Sequence, residues 1–136
     1  MAQPDAPAAP ARAEATRRLL IAICDDDESG VEAALRDGAS VDSSNRGLTA
    51  LMWAIRKHRN RIAKLLLARG ADVHRRHART GGTAVHAGAQ VGNAEAVRLL
   101  VEAGALVDAP GDNGTTPAYV AAQASHLEVV RLLAEL

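Results

Sequence analysis

At 136 residues, with 48% apolar and 24% charged, the chain has the make-up of one globular domain, which excludes a disordered tail or a membrane span as its main character. Its formal charge is zero, so bulk electrostatics names no partner and disfavours a nucleic-acid binder that works by net charge. Trp53 and Tyr119 are the only aromatic residues, so a core must be filled by Leu, Val, Ile and Ala, and a chain rich in Ala and Leu leans all-α.

Residues 1–13 are Pro- and Ala-rich and are expected to be disordered. They contain no basic n-region, and the first apolar run, Leu19 to Cys24, is short and leads into acids, so no signal peptide is expected. No stretch approaches the roughly 18 consecutive apolar residues of a membrane span. Cys24 stands alone and cannot form an intramolecular disulfide, which points to a reducing, cytoplasmic setting. The Ala- and Arg-rich usage suggests a bacterial source. Asp25, Asp26, Asp27 and Glu28 follow Cys24. A reactive thiolate needs a basic neighbour, and a calcium loop needs ligands spread over about twelve residues with a Gly at its turn, so this run reads as a solvated edge.

The remainder repeats itself. Helical runs at Glu32 to Leu35, Ile62 to Leu67 and Ala96 to Val101 each lead into a glycine string: Gly38-Ala39-Ser40-Val41-Asp42, Gly70-Ala71-Asp72-Val73-His74 and Gly104-Ala105-Leu106-Val107-Asp108. The glycines lie 32 and 34 residues apart, each where a helix end needs a left-handed residue. Between them come matching helix starts, Thr49-Ala50-Leu51-Met52, Thr83-Ala84-Val85-His86 and Thr116-Pro117-Ala118-Tyr119. Thr caps a helix, and Pro117 stands where the amide hydrogen would have no partner in the helix. Tight bends follow at His58 to Asn60, Gly92-Asn93 and Ser125-His126, and a last leucine-bearing run, Val129 to Leu133, closes the chain.

Gly-x-Thr-Pro-Leu-His, then Ala-Ala, Gly-His, Leu-Leu and Gly-Ala-Asp is the ankyrin-repeat pattern, and from about Arg17 to Leu136 this sequence resembles that family. The resemblance implies an all-α ankyrin-repeat solenoid of stacked antiparallel helix pairs with β-turn fingers, its repeats at about 14–43, 44–77, 78–110 and 111–136. The first unit has Arg17-Arg18-Leu19-Leu20 in place of the helix-start motif, as an N-terminal cap with a polar outer face would. The loop from Asp72 to Thr83 is one residue longer than that from Leu106 to Thr116, so the finger around His74 to Gly82 should bulge or be mobile. The last unit should leave an apolar edge that either frays or meets a partner or a second copy.

Family precedent gives His86 a structural role, its ring bonded to neighbouring backbone across repeats, and the repeat offset places Trp53 in the core. No paired catalytic groups, phosphate loop, metal-ligand spacing or cofactor motif is present, so no catalytic, metal or cofactor residue is assigned. The informative feature is charge. From Ser43 to His77 nine Lys or Arg face one acid, Asp72, a local net of +8, and the rest of the chain nets −8. By repeat offset, Arg46, Arg56, Lys57, Arg75, Arg76 and Arg79 belong on or beside the concave face, and Arg59, Arg61, Lys64 and Arg69 belong on the loop edge or the convex back. Asp25 and Asp26 should stack near Arg56 and Lys57 and neutralise part of the patch. The reading is a non-catalytic protein-binding module whose concave face takes an acidic partner through Arg46, Leu48, Arg56, Lys57, Arg75, Arg76, Arg79, Gln90, Val91, Asn113, Thr115, Gln123 and Ala124. Polyanion or nucleic-acid binding by the same bases, and self-association through the last repeat, are the alternatives; the first lacks interleaved aromatics for stacking.

Overall fold

The structure, a computed structural model, describes residues 9–136. Helix pairs follow one another along the chain: α1 (Ala9–Cys24) with α2 (Glu28–Arg36), α3 (Ala50–Arg56) with α4 (Asn60–Ala68), α5 (Ala84–Val91) with α6 (Ala94–Glu102), and α7 (Pro117–Gln123) with α8 (Leu127–Glu135). The first helices of the pairs pack in one row and the second helices in another. The result is an all-α solenoid with one small exception, an antiparallel hairpin of β1 (Ser44–Asn45) and β2 (Leu48–Thr49) that pairs Ser44 with Thr49. Arg46 and Gly47 form its turn with φ of 56° and 82°, the positive pair that a two-residue hairpin turn requires.

Local chemistry explains where the helices start. Asp27, Thr49, Asn93 and Thr116 each accept a hydrogen bond from a backbone N–H in the first turn of the helix that follows. Within each pair the chain reverses through one left-handed residue: Asp26, His58, Gly92 and Ser125, with φ of 57°, 58°, 73° and 64°. Only the third of these is a glycine, so three bends hold a side chain where L-residues are disfavoured.

The core runs the length of the solenoid. It is built from Leu19 and Ile23 of α1, Leu51 and Ile55 of α3, Ile62 and Leu66 of α4, Val85 of α5, Val97 and Leu100 of α6 and Val129 of α8, all essentially inaccessible. Each such side chain contributes about 1.5–3 kcal/mol on burial, which no single helix pair could collect without its neighbours. Trp53 packs half-buried against this core, and its Nε1–H donates to the Asn45 carbonyl at 3.2 Å, tying α3 to the hairpin.

Residues 9–13 lie in α1 and are helical rather than disordered as expected; residues 1–8, the rest of that segment, lie outside the described residues. On the first pair Arg18 and Asp37 form an ion pair at 3.0 Å. The apolar edge expected of the last pair is narrower than the sequence suggests: Val129, Leu132 and Leu133 are buried against the stack, leaving Leu127 and Leu136 exposed. The long finger bulges, one of the two outcomes its extra residue implied. His77 N–H donates to Gly82 O and Gly81 N–H to His77 O, a wider turn that absorbs the extra residue. The same finger bonds to both neighbours, through Ala78 N–H to Gly47 O and Asp112 N–H to Thr80 O.

Candidate interaction groove

Between the fingers and the first-helix row lies a groove of about 720 Å³ that spans the second, third and fourth repeats. Its walls are rows of residues equivalent in the repeat. Met52, His86 and Tyr119 form one row, and Arg56, Gln90 and Gln123 another, each pair of neighbours 33 or 34 positions apart. Ala87 and Val120 also line it, and Leu48, Thr80, Gly82 and Thr115 close the finger side. Among the described residues Arg56 is the one Lys, Arg, Asp or Glu lining it, so their side chains bring the groove a positive charge and no carboxylate.

The fold keeps this surface open by satisfying its own polar groups. His86 is 8% exposed; its Nδ1 accepts the Thr83 N–H at 3.0 Å, which leaves the proton on Nε2 to donate to the Thr115 carbonyl at 2.8 Å. That bond joins the third repeat to the finger of the fourth repeat, as the family precedent implied, and the ring also lines the groove. At the finger rim, Asn113 Oδ1 accepts from both the Thr115 N–H and the Thr115 hydroxyl. Among the described residues no three His, Cys, Asp or Glu side chains converge to hold a metal ion.

Of the residues expected to meet a partner, the structure brings Leu48, Arg56, Gln90, Asn113, Thr115 and Gln123 together around the groove. Leu48 is itself buried and serves as wall. The others lie elsewhere. Lys57 and Ala124 are the C-caps of α3 and α7, both exposed just beyond the lining, and Val91 is half-buried at the end of α5. Arg46 occupies the hairpin turn, and Arg75 and Arg79 are exposed on the long finger outside the groove. Arg76 is exposed but not a free base: one terminal guanidinium nitrogen donates to the carbonyls of Gly81 and Pro110, both at 2.7 Å, and so bridges two fingers.

The expected neutralisation of Arg56 and Lys57 by Asp25 and Asp26 is also corrected. Among the described residues the ion pairs join Arg18 to Asp37 and Arg69 to Glu32, and Arg59 donates to the Cys24 carbonyl at 2.8 Å. The first bend thus presents a backbone oxygen to the second repeat and leaves its carboxylates exposed. Sequence reasoning passed over Met52, His77, Thr80, Ala87, Tyr119 and Val120 as groove residues. The signal was available for Met52 and Tyr119, since they share a repeat position with His86.

A family model described as ankyrin repeats (3 copies) matches residues 11–77 and 74–136. The chain is 36% identical over 89 residues, 65% of its length, to a protein of Treponema pallidum (strain Nichols) described as ankyrin repeat-containing, and covers 28% of that protein. It is 43% identical over 63 residues to inversin of Danio rerio, which is 46% of this chain and 6% of inversin. It is 38% identical over 72 residues to protein phosphatase 1 regulatory subunit 27 of Mus musculus, 53% of this chain and 46% of that protein. The chain therefore spans less than half the length of each of these relatives. Among the described residues no helix is long and apolar enough to cross a membrane. With both halves matched by the repeat model and the helix pairs stacked as that model requires, this chain belongs to the ankyrin-repeat family, whose members generally bind other proteins and are typically non-catalytic.

Proposed function

We propose that the chain is a non-catalytic binding module whose groove takes an acidic segment of another protein. The observation that carries this reading is the groove's charge: Arg56 lines it without any carboxylate beside it, and the exposed Lys57 follows at the helix end. An arginine on a concave, partly apolar surface favours a carboxylate that its planar fork can hold with two hydrogen bonds. Similarity to a protein named as a regulatory subunit of a phosphatase supports a role exercised through a partner. Affinity capture from the native cell tests it. A protein retained by the wild-type chain and lost with Arg56→Glu combined with Lys57→Glu supports the reading, whereas retention of every captured protein by that double variant sinks it.

A further inference from the structure

The groove's donors are evenly pitched, and the pitch selects a ligand conformation. Arg56, Gln90 and Gln123 stand at the same repeat position on α3, α5 and α7, all exposed and all lining the groove. Helices packed side by side lie about 8–10 Å apart, so the three side chains form a ladder with rungs at that spacing. A ligand that serves every rung must present like groups to one side at the same interval. A β-strand returns to one face about every 6.6 Å or 13 Å and misses it. A polyproline-II segment has three residues per turn and rises about 3.1 Å per residue, so it returns to one face about every 9 Å.

Polyproline-II also leaves its carbonyls unpaired, and these are acceptors for the amide donors of Gln90 and Gln123. At the far end Tyr119, 59% exposed, offers a ring face beside Val120 for an apolar residue such as proline.

From this register we infer that the groove binds a polyproline-II segment of a partner, with an acidic side chain on Arg56 and the same face of the ligand, three and six residues on, against Gln90 and Gln123. The inference rests on the reading of the groove as an acidic-segment site and adds the period of the ligand.

A register test separates the two. Labelled Pro-rich peptides carrying one Glu, or two Glu placed two, three or four positions apart, are titrated by fluorescence anisotropy against the wild type, Arg56→Gln and Gln90→Arg. Gln90 is exposed, so Gln90→Arg adds a second cation to the ladder without disturbing the core. The peptide with Glu three positions apart is expected to bind Gln90→Arg about tenfold more tightly than it binds the wild type, the size of one added charge-assisted pair. The other spacings should change by less than about threefold, and Arg56→Gln should weaken every peptide by about tenfold. Equal gains for all spacings, with Arg56 still required, overturn the three-residue period while leaving the acidic-segment reading in place. No peptide binding that depends on Arg56 overturns both.

Discussion

Arg59 donates a hydrogen bond to the backbone carbonyl of Cys24 at 2.8 Å, crossing from the second repeat to the first. The residue at the same place in the third repeat, Asn93, donates to the Ile55 carbonyl at 3.1 Å, and in the fourth repeat His126 Nε2 donates to the Gln90 carbonyl at 3.0 Å. Three different side chains thus perform one task. Each reaches a carbonyl at or near the end of the preceding first helix, and at Ile55 it adds to the His58 N–H that already donates there at 3.1 Å.

Asn93 is the most heavily used of the three. It is 3% exposed, caps α6 through the Ala96 N–H, and exchanges side-chain hydrogen bonds with Asn60 at 2.7 and 3.1 Å. Asn93→Ala removes the cap and strands buried partners on two repeats, and the expected cost is about 3 kcal/mol. Asn60→Ala, at a half-buried site, should cost about 1 kcal/mol. Urea unfolding monitored by helical circular dichroism compares the two, and equal midpoints would show that the network is not the source of stability.

At the groove floor, His86→Ala should cost about 2 kcal/mol, because the Thr83 N–H loses its ring acceptor and the Thr115 carbonyl keeps only the Gly111 N–H. Faster amide hydrogen exchange is expected at Thr83 and through the finger of the fourth repeat. Unchanged exchange at both places is the contrary result.

The bends carry an asymmetry that two substitutions expose. His58 sits at φ 58°, the conformation Gly92 adopts one repeat later. His58→Gly relieves a left-handed L-residue and should stabilise by about 0.5–1 kcal/mol after glycine's own entropy cost. Gly92→Ala should destabilise by about 2 kcal/mol, since the new methyl would fall 2.6 Å from His126 Nδ1 as well as in a disfavoured backbone region. Thermal unfolding of both variants reads the signs, and opposite shifts are the expected outcome.

Among the finger bases, Arg76→Ala should cost about 1–2 kcal/mol because it frees the Gly81 and Pro110 carbonyls. Arg75→Ala and Arg79→Ala, exposed substitutions away from any such bridge, should stay within about 0.5 kcal/mol of the wild type. A chemical-denaturation series ranks the three, and a cost at Arg75 equal to that at Arg76 would contradict the assignment of Arg76 to the scaffold.

Much of the architecture was legible in the residues because its requirements are local. The left-handed glycines at Gly38, Gly70 and Gly104 and the helix starts at Thr49, Thr83 and Thr116 each depend on a few neighbouring atoms, so the same residue types recur at intervals of 32 to 34, whereas the caps at Asp27 and Asn93 were not read from the sequence. Burial followed from the same period, since stacked units must hide equivalent faces. The hairpin at Ser44 to Thr49 was not foreseen as strand, because its pairing spans only two residues a side and depends on the turn at Arg46 and Gly47.

The site divided differently. The sequence by itself determined that bases cluster in the second repeat and that Arg56, Gln90 and Gln123 share one offset. Tertiary structure decided which of those bases face a visitor. Long, flexible guanidinium groups go wherever a carbonyl is left unpaired, and neighbouring fingers and bends supply those carbonyls: Arg76 is drawn to Gly81 and Pro110 and Arg59 to Cys24, while Arg56 meets none and lines the groove.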